Sequence, residues 1–120
     1  MPLHETSSVV DPAALNESPE EFLIFYSSRD EEGKMWCPDC RAVENIIKAT
    51  FDKEDGPTGL IVYVGQKPEW KSPSNRFRGA PWSVNAIPTI IKRLRGKEVG
   101  RLVESEIEEQ LSSFAGKAAV

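Results

Sequence analysis

The 120 residues include only two cysteines and one histidine. A chain with no second cysteine pair cannot assemble the roughly four ligands of a structural zinc site, nor the several bridges of a disulfide framework. Long apolar runs are missing as well. No stretch approaches the ~20 residues of a membrane span, so no membrane partner is expected. Met1 to Val10 has neither the basic start nor the apolar stretch of an export leader, so a cytosolic or nuclear setting with reduced thiols is expected. Positive charge is not in excess: the formal net charge is -4, with 39% hydrophobic and 28% charged residues, which argues against a nucleic-acid partner. Internal repeats and low-complexity segments are absent too. A chain of this length is expected to form a single domain, residues 1–120, around one core.

What is present centres on Trp36-Cys37-Pro38-Asp39-Cys40. Both cysteines sit in one C-x-x-C, after an apolar strand-like run and at the mouth of a helix-like one. In a reducing setting a static disulfide is disfavoured and a transient, catalytic one is favoured. Two other readings stand beside it: half of a zinc site, and a pair of buried cysteines acting as small hydrophobes.

Along the chain, Ser8-Val9-Val10 reads as a first strand, and Asp11-Pro12 as the cap and first residue of a short helix through Ala13 to Asn16. Phe22 to Tyr26 is continuously apolar and aromatic, as in a central strand covered on both faces. Ser27 to Met35 is a polar loop that carries the cysteine motif at its end. From Pro38 to about Phe51, Cys40, Val43, Ile47 and Phe51, with Ile46 beside them, recur at helical spacing. Leu60 to Val64 repeats the buried-strand signature. Strand, helix and strand in succession imply a right-handed crossover between parallel neighbours, hence an α/β fold.

Gln66 to Asn85 reads as an insertion near the active-site face, with a short helix started by Ser72-Pro73 or Ser74 and with Trp70 and Trp82 as packing elements. Ile90 to Leu94 and Val99 to Val103 flank Gly96-Lys97, which predicts an antiparallel hairpin. Ser105 to Glu108 is a capping box for a last helix with Ile107, Leu111 and Phe114 on one face. The acidic cluster Glu104, Glu106, Glu108 and Glu109 suits that helix start. His4 and the basic residues around the insertion and hairpin are read as solvated surface.

A thiolate, not a thiol, attacks a disulfide, so the chemistry needs a cysteine whose pKa falls from about 8.5 towards about 7. Cys37, ahead of a helix whose first-turn amides point at it, is placed to be that nucleophile. Cys40, one turn further on and facing the core, is placed to resolve the mixed disulfide. Pro38 suits the first turn, where no amide hydrogen bond is lost.

Together with Ala86-Ile87-Pro88-Thr89, these residues make the chain resemble the thioredoxin superfamily. Arg29-Asp30, Gly33-Lys34, Val64-Gly65, Pro68, Trp70-Lys71, Pro73, Asn75, Phe77-Arg78 and Leu102 to Glu106 make it similar to the small cytosolic thioredoxin-related proteins of the thioredoxin domain-containing protein 17 type. The resemblance implies a thioredoxin fold: a mixed sheet with helices on both faces and an insertion between the third strand and a cis Pro88. It implies a cytoplasmic, monomeric reductase of disulfides in proteins or small molecules. That reductase would be recharged from NADPH through thioredoxin reductase and would hold no bound cofactor. Ile87 is then expected to pair with an extended substrate segment, beside Pro38 and Pro88. Trp36 is either a substrate contact or a packing element. Thioredoxin has an acid on the strand beneath its cysteines, whereas Phe22 to Tyr26 offers none, which leaves Asp39 or a water as candidate proton acceptor for Cys40. The competing readings are a redox-sensing adaptor without turnover, and a glutathione-dependent glutaredoxin-like reductase. The Gly-Gly pair that glutaredoxins use near glutathione is missing after Pro88.

Overall fold

Five consecutive large apolar residues, Phe22 to Tyr26, can be satisfied only where both faces of a strand are covered. The computed structural model, in which residues 3–6, 11–52 and 57–116 are described, puts them at the centre of a five-stranded sheet of order β1-β3-β2-β4-β5. The chain runs β1 (Leu3–Glu5), a 3-10 turn (Pro12–Glu17), β2 (Phe22–Tyr26), α1 (Pro38–Phe51), β3 (Gly59–Tyr63), α2 (Lys67–Lys71), a second 3-10 turn (Arg76–Arg78), β4 (Thr89–Leu94), β5 (Lys97–Val103) and α3 (Ser105–Gly116). β1, β3 and β2 are parallel, and β2–β4 and β4–β5 are antiparallel, so the sheet is mixed. This is the α/β class expected.

Alternation along β2 assigns the two faces. Phe22 meets Phe51 of α1 and Phe114 of α3, with ring centroids 5.2 and 5.7 Å apart. Phe25 points the other way, towards Phe77 and Trp82, at 5.9 and 6.4 Å. Helices α1 and α3 therefore flank one face, and the insertion and the 12–17 turn cover the other. Each ring so buried contributes about 1.5–3 kcal/mol. On α1 the buried residues are Cys40, Val43, Ile47 and Phe51, while Ile46 is exposed. Asp39 in the first turn and Lys48 in the last complement the helix dipole.

Several elements differ from the sequence reading. The expected strand at Ser8 to Val10 lies outside the described residues, and the described β1 is the short, mostly polar Leu3–Glu5. The insertion helix starts earlier than Ser72. Gln66 caps it in a reciprocal box with Glu69, and extended Ser72, preceding Pro73, closes it. The hairpin turns on Arg95-Gly96 rather than Gly96-Lys97: both have positive φ (54° and 80°), and Leu94 pairs with Lys97. Ser105 is the first residue of α3, and the reach-back comes from Glu106, whose carboxylate accepts the Val103 N–H at 2.8 Å.

Several residues read as solvated are partnered instead, Arg76 with Asp11 and Arg78 with the Trp70 carbonyl among them. His4 meets Glu20 at 2.8 Å. Arg101 donates to the Trp82 and Ser83 carbonyls and pairs with Glu98. Arg93 is buried and donates to the carbonyls of Leu15, Ser18 and Glu20. A buried guanidinium needs such acceptors, and the 12–17 turn and the residues that lead from it into β2 supply them.

Candidate active site

The polar loop after β2 folds back on itself. The Asp30 carboxylate accepts the N–H groups of Glu32 and Lys34, both at 2.9 Å. Arg29 and Met35 form an antiparallel bridge. Met35 is fully buried, so the loop returns to the core and delivers Trp36 and Cys37 to the start of α1. Trp36 is half-buried, and its indole N–H donates to the Gly65 carbonyl at 3.0 Å. Gly65 has φ +117° and a side chain there would lie 2.9 Å from Cβ of Glu69, so glycine is required. That tie favours the packing role for Trp36.

Cys37 occupies the cap position of α1, its side chain makes no capping bond, and Pro38 follows at the first turn. The Cys37 sulfur lies 3.8 Å from the Ile87 carbonyl, to which its thiol donates. The Cys37 N–H donates to the Ser27 hydroxyl at 3.2 Å. The Ile87–Pro88 peptide bond is cis. Its turn is held by the Thr89 hydroxyl on the Ala86 carbonyl at 2.6 Å and by the Glu104 N–H on the Pro88 carbonyl at 2.8 Å. The structure thus brings Cys37, Cys40, Ile87 and Pro88 together.

Both cysteines are free thiols, and they differ in access. Cys37 is 6% exposed and Cys40 0%. Burial pushes the Cys40 thiol well above the ordinary cysteine range. The Ser27 amide and hydroxyl oppose that rise, and the Cys37 sulfur adds to it. A slightly exposed sulfur and a fully enclosed, protonated one suit an attacking and a resolving group. Pro38 and Asp39 are exposed. Asp39 lines a shallow groove with Ala42, Val43, Glu104, Ser105 and Glu108.

Sequence reasoning missed the polar groups around the sulfurs. Ser27, fully buried at the end of β2, is one. Another is the chain in which Arg29 pairs with Glu44 at 2.6 Å and donates to the Tyr63 hydroxyl at 2.9 Å. Tyr63 in turn donates to Glu5 at 3.3 Å. The Tyr26 hydroxyl is buried with no hydrogen-bond partner among the described residues, and burial first, then the charges of Glu44 and Cys40, push its pKa up. Glu44 stands four positions after Cys40, one helical turn, and that spacing is the signal that could have marked it. Among the described residues no three His, Cys, Asp or Glu side chains converge as a metal-ligand set, and no helix is long and apolar enough to cross a membrane.

Comparison with known proteins agrees with this geometry. Residues 5–112 match the family model described as thioredoxin domain-containing protein 17-like, thioredoxin domain. The chain is 39% identical over 93 residues to thioredoxin domain-containing protein 17 of Mus musculus, covering 76% of this chain and 72% of the relative. It is 33% identical over 97 residues to the thioredoxin-like protein Clot of Oryza sativa subsp. japonica, covering 75% and 70%. In fold it is similar to the reduced thioredoxin pre-protein of Schistosoma mansoni, with a TM-score of 0.59 at 20% identity over 96% of each chain. A thioredoxin fold with two neighbouring free cysteines carries a thioredoxin-like redox role, and the chain belongs to the thioredoxin domain-containing protein 17-like family.

Proposed function

We propose that the protein is a thiol-disulfide oxidoreductase that reduces disulfides in proteins or small molecules through Cys37 and Cys40. The observation that carries this reading is the placement of the two sulfurs: Cys37 at the start of α1, 3.8 Å from the Ile87 carbonyl, and Cys40 enclosed below it. The dipole of α1 favours negative charge on the Cys37 sulfur. Cys37 attacks a substrate disulfide and forms a mixed disulfide, and Cys40 displaces the reduced substrate. The Ile87 carbonyl, at the bend before β4, lies beside the Cys37 sulfur, and an extended substrate segment pairs with the backbone there. Asp39, or a water, receives the Cys40 proton.

Reducing equivalents come from NADPH through thioredoxin reductase, and no resident cofactor takes part. The working form is a cytoplasmic monomer. The decisive measurement is NADPH consumption with thioredoxin reductase and a model disulfide. Sustained turnover that disappears in Cys37→Ser is expected, and Cys40→Ser should accumulate the mixed disulfide. Stoichiometric oxidation without turnover would instead mark a redox-reporting adaptor. Asp39→Asn should slow the resolving step and alter its pH profile. Superimposable profiles would remove Asp39 from the mechanism.

A further inference from the structure

Strand β5 grips the chain on both sides of the Ile87–Pro88 turn. Beyond the turn, Val103 pairs with Thr89 and the Glu104 N–H donates to the Pro88 carbonyl at 2.8 Å. Ahead of the turn the grip is a side chain. Arg101 donates from Nη2 to the Trp82 carbonyl at 2.7 Å and from Nη1 to the Ser83 carbonyl at 3.1 Å, while Nε and Nη2 hold the Glu98 carboxylate at 2.7 and 2.8 Å. All three guanidinium nitrogens are engaged, in the planar fork that arginine offers and lysine does not. Two successive carbonyls aim at one cation here, and Ser83 takes φ +49°, a conformation that residues other than glycine rarely adopt. Such a backbone persists only where its surroundings hold it, and the guanidinium does so. From there Val84, fully buried, donates its N–H to the Phe77 carbonyl at 2.8 Å, and exposed Asn85 and half-buried Ala86 lead to Ile87.

We propose that Arg101 is a positioning residue that fits the redox site to polypeptide disulfides. By fixing the Trp82 and Ser83 carbonyls it sets the course of residues 83–87, and with it the backbone against which an extended substrate segment pairs at Ile87. A polypeptide needs that backbone in register with its own. A disulfide too small to have a main chain needs only the Cys37 sulfur. Arg101 acts on the reaction through the lead into the turn, so its removal penalises the substrate that uses the turn and spares the one that does not. The inference rests on the disulfide-reductase reading and adds to it a substrate class and the residue that favours it.

Two substrates separate this role from a merely structural one: a peptide closed by a disulfide, and an aryl disulfide that releases a coloured thiolate. Each is mixed with the reduced protein and followed through a single turnover. Arg101→Gln should lower the second-order rate constant for the peptide about tenfold and that for the aryl disulfide far less. Equal slowing with both, or an unchanged peptide rate, would overturn the assignment, as would a parent protein that reduces the aryl disulfide and not the peptide. If the parent reduces neither, the reductase reading fails instead. A measurement on the native arginine covers the case where the variant does not fold. In Cys40→Ser protein the Arg101 Nε–H resonance should shift when Cys37 carries the peptide and stay in place when it carries the aryl thiol. A signal unmoved by both, or moved alike by both, overturns the proposal.

Discussion

The sulfur site and the 66–85 insertion meet at Gly65 and differ in what their central side chains are tied to. The insertion is stapled by side chains that grip backbone. Asn75 donates to the Val64 and Glu69 carbonyls and accepts the Phe77 N–H. Arg78 lies 4.0 Å over the Trp70 ring while donating to its carbonyl, and Trp82 donates to the Pro12 carbonyl at 2.9 Å. At the sulfur site such staples surround the cysteines, with Trp36 on the Gly65 carbonyl, Ser27 on the Cys37 N–H and Thr89 on the Ala86 carbonyl, while Cys37 itself makes no capping bond. In one region side chains hold the fold; in the other the fold holds side chains free to react.

The difference implies that stability and activity are separable. Trp82→Ala should cost about 3–5 kcal/mol, because it removes a buried indole and strands the Pro12 carbonyl. Cys37→Ser should change stability by less than about 1 kcal/mol while ending turnover. Urea titrations of the two variants check this, and a comparable loss in both would break the comparison. A smaller effect is expected for Asn75→Ala, about 1–3 kcal/mol from the midpoint of the same titration, since its three bonds are only partly replaced by water.

Alkaline pH sharpens the contrast from the other side. Burial raises the Cys40 pKa in the folded chain, so the unfolded chain loses that proton first. Stability from this group is complete below about pH 8.5 and declines above it, by at most about 1.4 kcal/mol per pH unit. Urea midpoints at rising pH should therefore fall less steeply in Cys40→Ser than in the parent. Equal slopes would mean that Cys40 is not the group responsible. Smallest of all is Tyr26→Phe. Removing a buried hydroxyl that has no partner among the described residues should leave stability within about 1 kcal/mol of the parent or slightly above it, as thermal unfolding would show.

The sheet centre was readable because Phe22 to Tyr26 and Leu60 to Val64 are apolar without interruption, and α1 because its buried residues keep helical spacing. β1 was not, since a short edge strand with one half-buried residue leaves no apolar pattern. α2 was misplaced because Ser72-Pro73 looks like a helix start when it is a helix stop. The hairpin turn shifted because Arg95, a residue with no special liking for positive φ, takes that conformation. At the site, the cysteine motif and Ile87–Pro88 were legible as motifs. Ser27 and Tyr63 were not, because folding alone brings them to the Cys37 N–H and to Arg29, whereas Glu44, one helical turn after Cys40, is marked only by that spacing. Arg93 and Arg101 were misread for the same reason: their acceptors are carbonyls on other elements.

Arg93 also sets a limit on how the chain can be shortened. Its guanidinium is enclosed, and its two terminal nitrogens donate to carbonyls between Leu15 and Glu20, a stretch remote from the cysteines. Cutting into that stretch would take the Leu15 and Ser18 carbonyls from a cation facing the indole of Trp82, and water would have to enter the apolar layer behind the insertion to replace them. A trimmed version that keeps every residue of the redox site but begins after Ser18 would thus lose its fold before its chemistry.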